Sequence, residues 1–206
     1  MGQAKRRAEM REQNEQALGK VDIPRLAGAI RRLSTAASAH FGSDCFMHAA
    51  LVQAFLAEYG VKADLVIGFA AWRVGEGNGD VITHAPMPNL QLQPGGAPYH
   101  VWLEIGRHIF DTTTYQLQTK AEDLDRLDGG HTTVDWCPDF LFVEKRTVSS
   151  LSKVAQERAG MYYYEANDIV AKQVLEASKG IDQEDLAILK MLYGAPDLVV
   201  MGPNSM

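Results

Sequence analysis

Cysteine is scarce in this sequence: 206 residues contain only Cys45 and Cys137. Two cysteines exclude a disulfide framework and leave room for one bridge at most. No apolar run approaches the length that spans a bilayer. The start, Met1-Gly2-Gln3-Ala4-Lys5-Arg6-Arg7, carries charge where a signal peptide would be apolar. Arg6 stands where a myristoylation motif needs Ser or Thr. There is no positive excess either. Against 20 Lys and Arg stand 26 Asp and Glu, for a net charge of −6. Neither nucleic acid nor an anionic membrane is thereby favoured as a partner. The glycines of Gly75-Glu76-Gly77-Asn78-Gly79 lack the Lys-Ser/Thr ending of a phosphate loop. No repeat or low-complexity tract is present. These absences predict a cytoplasmic protein with reduced thiols and no cofactor requirement.

What is present is a globular balance, 46% hydrophobic and 22% charged, in a chain long enough to bury a core without staples. Residues 1–20 are polar and helix-prone, which predicts a solvated helical arm. Pro24 suits the first turn of a helix carrying Ile23, Leu26, Ile30 and Leu33 at helical spacing. Ser43-Asp44 offers an N-cap for a helix from Cys45 to about Tyr59, stopped by Gly60. The apolar run Leu65–Trp72 reads as a buried strand. Residues 73–98 hold many Gly and Pro and one short strand candidate, Val81–Thr83; a loop of that length suggests a lid. Tyr99–Ile105 and Arg107–Thr112 read as a hairpin around Gly106. Ala121–Leu127 suggests a short helix and Phe140–Val143 a strand. Ser149 or Ser150 would cap a helix reaching Ser178, on which Tyr162, Tyr163 and Tyr164 would serve packing or a dimer interface. Asp182 would cap a last helix ending before Gly194.

Three residues carry candidate chemistry. A cysteine attacks a carbonyl as its thiolate, which a helix N-terminus favours through its free N–H groups and partial charge. Cys45 falls in such a first turn, and the same N–H groups can stabilise an oxyanion. The thiol also needs an imidazole base, and the imidazole an orienting acceptor. With a two-residue turn at Gly106-Arg107, Ile105 faces His108 and Trp102 faces Asp111. His100, Trp102, Asp111 and Thr113 then share one face, with His100 the diagonal neighbour of Asp111, roughly 7 Å away. A three-residue turn would put Asp111 on the other face. The Cys45 helix would have to pack across the face holding His100 and Asp111. Each residue also suits a plainer role: Cys45 in packing, His100 as a half-buried strand residue, Asp111 at a strand end.

The segment Gly42-Ser43-Asp44-Cys45-Phe46-Met47-His48-Ala49-Ala50-Leu51 resembles the nucleophile segment of the transglutaminase-like superfamily, papain-fold cysteine enzymes of bacteria and eukaryotes. His100-Val101-Trp102-Leu103-Glu104-Ile105 is similar to that family's His-x-Trp-x-Glu strand, and Phe110-Asp111-Thr112-Thr113 to its Asp-Pro-Thr-like segment. Thr112 replaces the Pro, Phe46 follows the Cys, and no Gln stands out as a second oxyanion donor. The resemblance implies a Cys-bearing helix packed on an antiparallel sheet that carries His and Asp.

Together these observations predict an α+β, papain-like or transglutaminase-like fold. The expected divisions are a polar arm over 1–20, a catalytic core over 21–147, C-terminal helices over 148–196 and a tail over 197–206. The expected function is a thiol hydrolase or acyltransferase of amidase, peptidase or deamidase type. Cys45 would be the nucleophile, His100 the base and acid, and Asp111 the orienter, with His48 and Trp102 lining the substrate pocket. The expected partner is an amide- or ester-bearing substrate such as a peptide or protein, with no nucleic acid or membrane. The C-terminal helices offer a homo-oligomer contact. Two other classes stay open: a catalytically silent domain that binds a protein or peptide, and a metal-dependent hydrolase in which His48, with His84 or His108, joins Cys45. Cys137, between Trp136 and Pro138, suits packing.

Overall fold

The computed structural model describes residues 2–37, 44–85 and 98–202. Helix α1 (Gly2–Leu18) is the polar arm, and α2 (Ile23–Ala36) follows with Asp22 as its N-cap. Asp44 caps α3 (Cys45–Glu58) by accepting from the N–H groups of Phe46 and Met47. Strands β1 (Asp64–Arg73) and β2 (Val81–His84) come next, then the hairpin β3 (His100–Ile105) and β4 (His108–Asp111). A 3-10 turn, Thr114–Gln116, leads into α4 (Leu117–Asp128), four residues earlier than the apolar pattern marks. Strand β5 (Leu141–Glu144), α5 (Leu151–Gln156), β6 (Tyr162–Ala166), α6 (Asp168–Ala177) and α7 (Gln183–Gly194) complete the order. The two segments 38–43 and 86–97, holding Gly42-Ser43 and just under half of the expected lid, lie outside the described residues.

The six strands form one antiparallel sheet. One edge of β1 pairs with β6, for example Ala70 with Tyr164. Its other edge serves two strands in line: β3 opposite Asp64–Gly68 and β2 opposite Ala70–Arg73. The chain thus leaves the sheet at His84 and re-enters it at His100, two β1 residues away. The hairpin turn has two residues, with Ile105 opposite His108 and Leu103 opposite Phe110, as parity requires. Gly106 supplies the positive φ of 59° at the first turn position.

Two predictions from sequence fail here. Residues 149–178 are not one helix. Ser150 does cap a helix, but that helix stops at Gln156, and Tyr162–Ala166 forms β6. A β-prone tyrosine triplet meets the unpaired edge of β1, and that pairing outweighs helical continuity. The core expected to close at residue 147 therefore takes a strand from beyond it. The tyrosine run accordingly alternates across a strand instead of wrapping a helix.

The second failure concerns the faces. Alternation puts Ile67, Val101, Leu103, Ile105 and Phe110 on one face, and these pack with Leu51, Val52, Phe55 and Leu56 of α3 and with Leu26, Ile30 and Leu189 of α2 and α7. The opposite face carries Ala70, Trp72, Trp102, Ile109 and Tyr164 beneath Leu117 and Ala121 of α4. Helix α3 therefore covers the face away from Trp102, not the His100–Asp111 face. Its apolar residues match the side built of Ile67, Val101, Leu103, Ile105 and Phe110, and only its first turn comes round to the end of β3. Glycine is needed where strands crowd: a Cβ on Gly68 would lie 2.0 Å from the Glu165 carbonyl oxygen.

Candidate active site

His100 opens β3 and Asp111 closes β4, so the hairpin brings them together beside the point where β2 ends. His100 Nε2 lies 2.8 Å from Asp111 Oδ2, and neither side chain is exposed to solvent. The carboxylate is held by more than the ring. Thr113 donates to Oδ1 through its N–H at 2.9 Å and its hydroxyl at 2.8 Å. Tyr164 donates its phenol to Oδ2 at 2.7 Å, and Trp72 Nε1 donates to the same phenol oxygen at 2.9 Å. Asp111 is thus fixed by four donor groups on three segments of chain.

Cys45, at the first turn of α3, is near enough to influence the His100 ring electrostatically. Burial would push the His100 ring toward its neutral form. The Asp111 charge and hydrogen bond, then the hydrogen bond and charge of Cys45, reverse this and raise its pKa to about 9. Asp111 is likewise opposed by burial, but the His100 charge, its hydrogen bond, Thr113 and Tyr164 hold it far below the usual carboxylate range. Because Asp111 occupies Nε2, the nitrogen left for the thiol is Nδ1, which is buried and has no acceptor of ordinary geometry. Asp44 takes the N–H groups of Phe46 and Met47, leaving the Cys45 N–H at the first helical position, where no intrahelical acceptor exists. Tyr99 sits close by: burial, Cys45 and Asp44 raise its phenol pKa.

Residues 1–85 match the model Transglut_core3, the transglutaminase-like superfamily. This chain resembles the transglutaminase-like superfamily. The match covers α1 through β2 and includes Cys45; His100 and Asp111 lie beyond it. A crystal structure of a protein named only as genomics APC5867 shares the fold. Its TM-score is 0.51 at 17% identity, covering 86% of this chain and 82% of its own. No curated protein matches. The α+β arrangement of helices and antiparallel sheet agrees with the transglutaminase-like resemblance read from the sequence.

The other sequence candidates stand elsewhere. His48 is fully buried within α3 and Trp102 is 2% exposed, so neither offers surface to a substrate. Trp102 instead stacks 6.3 Å from the His100 ring and 5.2 Å from Tyr164, and so shields the pair. His108 lies at the turn end of the hairpin, stacked on Phe142. Among the described residues no group of three or more His, Cys, Asp or Glu is arranged to hold a metal. Cys137 is exposed, its thiol 3.5 Å from the carbonyls of Thr114 and Tyr115. Among the described residues no helix is long and apolar enough to cross a membrane.

Sequence reasoning gave Tyr164, Trp72 and Lys120 no place beside His100 and Asp111, and considered His84 only as a metal ligand. A signal for Tyr164 existed. Gly160 and Asn167, the latter the N-cap of α6, bracket a tyrosine-rich stretch of strand length. A lone lysine on the polar helix α4 carries no comparable mark.

Proposed function

We propose that this chain is a cysteine-dependent hydrolase or acyltransferase acting on an amide or ester. The reading rests on one observation: a buried His100 clamped at Nε2 by Asp111, with Nδ1 left for a thiol at a helix start. In this reading His100 takes the Cys45 proton, and Sγ attacks the carbonyl carbon. The oxyanion meets the Cys45 N–H. As the tetrahedral intermediate collapses, the bond to the leaving amine or alcohol breaks and His100 returns the proton to it. The thioester is then attacked by water, or by an acceptor amine, whose proton passes to His100. The S–C bond breaks and the thiol is restored.

Iodoacetamide labelling tests this, because Cys137 is an exposed internal reference. Cys45 is expected to label faster at neutral pH despite its lower exposure. His100→Asn should slow Cys45 labelling by about tenfold or more, because the imidazole that takes the thiol proton is gone. Circular dichroism should be unchanged. Equal labelling of Cys45 in the wild type and His100→Asn, each with native circular dichroism, would favour a silent, partner-binding domain.

A further inference from the structure

A basic cluster adjoins the Cys45–His100–Asp111 group. Lys120 of α4 reaches the sheet, its Nζ 3.5 Å from His84 Nε2 and 5.8 Å over the Trp72 ring. The same indole stands 4.8 Å from the His100 ring, edge to face, and the His84 and His100 rings are 5.7 Å apart. The ammonium thus meets His84 and Trp72, and both of these adjoin His100, at the point where β2 ends and β3 begins.

Among the described residues the ammonium has no carboxylate in direct contact. Segments 38–43 and 86–97 contain no Asp or Glu at all, so neither can bring a side-chain carboxylate to it. His84 is held neutral, by burial first and then by the charges of Lys120 and His100. It can therefore accept one ammonium proton at Nε2 and return no charge. Among the described residues the other two N–H donors of this half-buried ammonium meet no acceptor. Such a group is costly to keep without an anion. Burial lowers the Lys120 pKa, while Cys45 and Asp111 pull it up, so Lys120 feels the reacting group.

We propose that Lys120, braced by His84 and Trp72, is a specificity-determining residue that binds a carboxylate of the substrate beside the acyl group presented to Cys45. The substrate class is then an acyl donor with a carboxylate close to the reacting carbonyl, such as an acidic peptide. Its adjacency to chemistry rests on Cys45 being the nucleophile; anion binding itself does not.

Iodoacetate and iodoacetamide alkylate a thiol by the same displacement and differ by one carboxylate. The ratio of their rates at Cys45 reports local positive charge, and a general change in the thiol cancels from it. Lys120→Met is expected to lower the iodoacetate/iodoacetamide ratio about tenfold, the size of one unit charge felt at several Å. Lys120→Arg should preserve it. The second measurement does not need a reactive thiol. Succinate, against succinamide at equal ionic strength, should raise the Tm of Cys45→Ala and leave Cys45→Ala/Lys120→Met unmoved. An unchanged ratio in Lys120→Met, or an equal succinate effect on the Cys45→Ala single and double variants, overturns the anion subsite. A Lys120-dependent succinate effect with a sluggish Cys45 would keep the subsite and discard the nucleophile.

Discussion

Burial alone would strip the proton from His100, yet Asp111 and Cys45 keep it charged and raise its pKa to about 9 against an ordinary 6.5. A raised folded-state pKa stabilises the protein fully below the unfolded value and loses that contribution as pH climbs through the folded one. Asp111 has the opposite sign: its contribution is present above the ordinary 3.8 and disappears as pH falls through its lowered folded value. The pair therefore stabilises most between roughly pH 4 and pH 6.5. The Tm should decline from pH 6.5 to 9.5, and this decline should flatten in Asp111→Asn. An equally steep decline in that variant would mean that other groups set it. The His100–Asp111 pairing was legible because a two-residue turn fixes parity, and parity fixes the face. The Tyr164 hydrogen bond was not, because its partner lies 53 residues away and no local pattern encodes it. Lys120 left no trace either, since one lysine on a polar helix looks like any solvated lysine.

Among the elements, the hairpin and α3 follow from short-range rules: a glycine turn, alternation and an aspartate cap. Strand β6 follows from a long-range one, the vacancy along β1, which explains why a helix was read in its place. Its fit to β1 depends on Gly68. Gly68→Ala would put a methyl against the Glu165 carbonyl and force the strands apart, costing about 2 kcal/mol. Because β6 carries the Tyr164 phenol to Asp111, the same variant should slow Cys45 labelling and lower the Tm together. A lowered Tm with labelling intact would show that Tyr164 is dispensable for orientation. The Asp44 cap and the Gly60 stop located α3 from its sequence. They could not tell which face of the sheet α3 covers, because that is decided by the aliphatic surface of α2 and α7.

Across the whole molecule, the arm is better attached than its polarity suggests. Asn14 donates to the Lys62 carbonyl at 3.0 Å and accepts from the Lys62 N–H, while Ala17 and Leu18 rest on the core. Asn14→Ala should cost about 1 kcal/mol, or about 2–4 °C in Tm for a chain of this size. Removing residues 1–10, for which the described side chains show only the Lys5–Glu9 pair, should change the Tm little. A full loss of stability on that shorter truncation would mean that the first turns of α1 dock elsewhere. At the other end, Arg32 reaches the carbonyls of Leu192, Ala195, Pro196 and Leu198, so α2 also closes the C-terminal end of α7.

Strands β2 and β3 lie end to end along one edge of β1, so the stretch joining them departs and returns at nearly the same place. Closing a loop between fixed, neighbouring ends becomes only slightly harder as the loop grows, by roughly 0.6 kcal/mol for each doubling of length. Evolution or an engineer can therefore exchange the stretch after His84 for one of another length and leave the sheet register untouched. The His100–Asp111 pair is anchored in the sheet by β3 and β4, so a change of length in the neighbouring connection leaves the pairing of these strands in place.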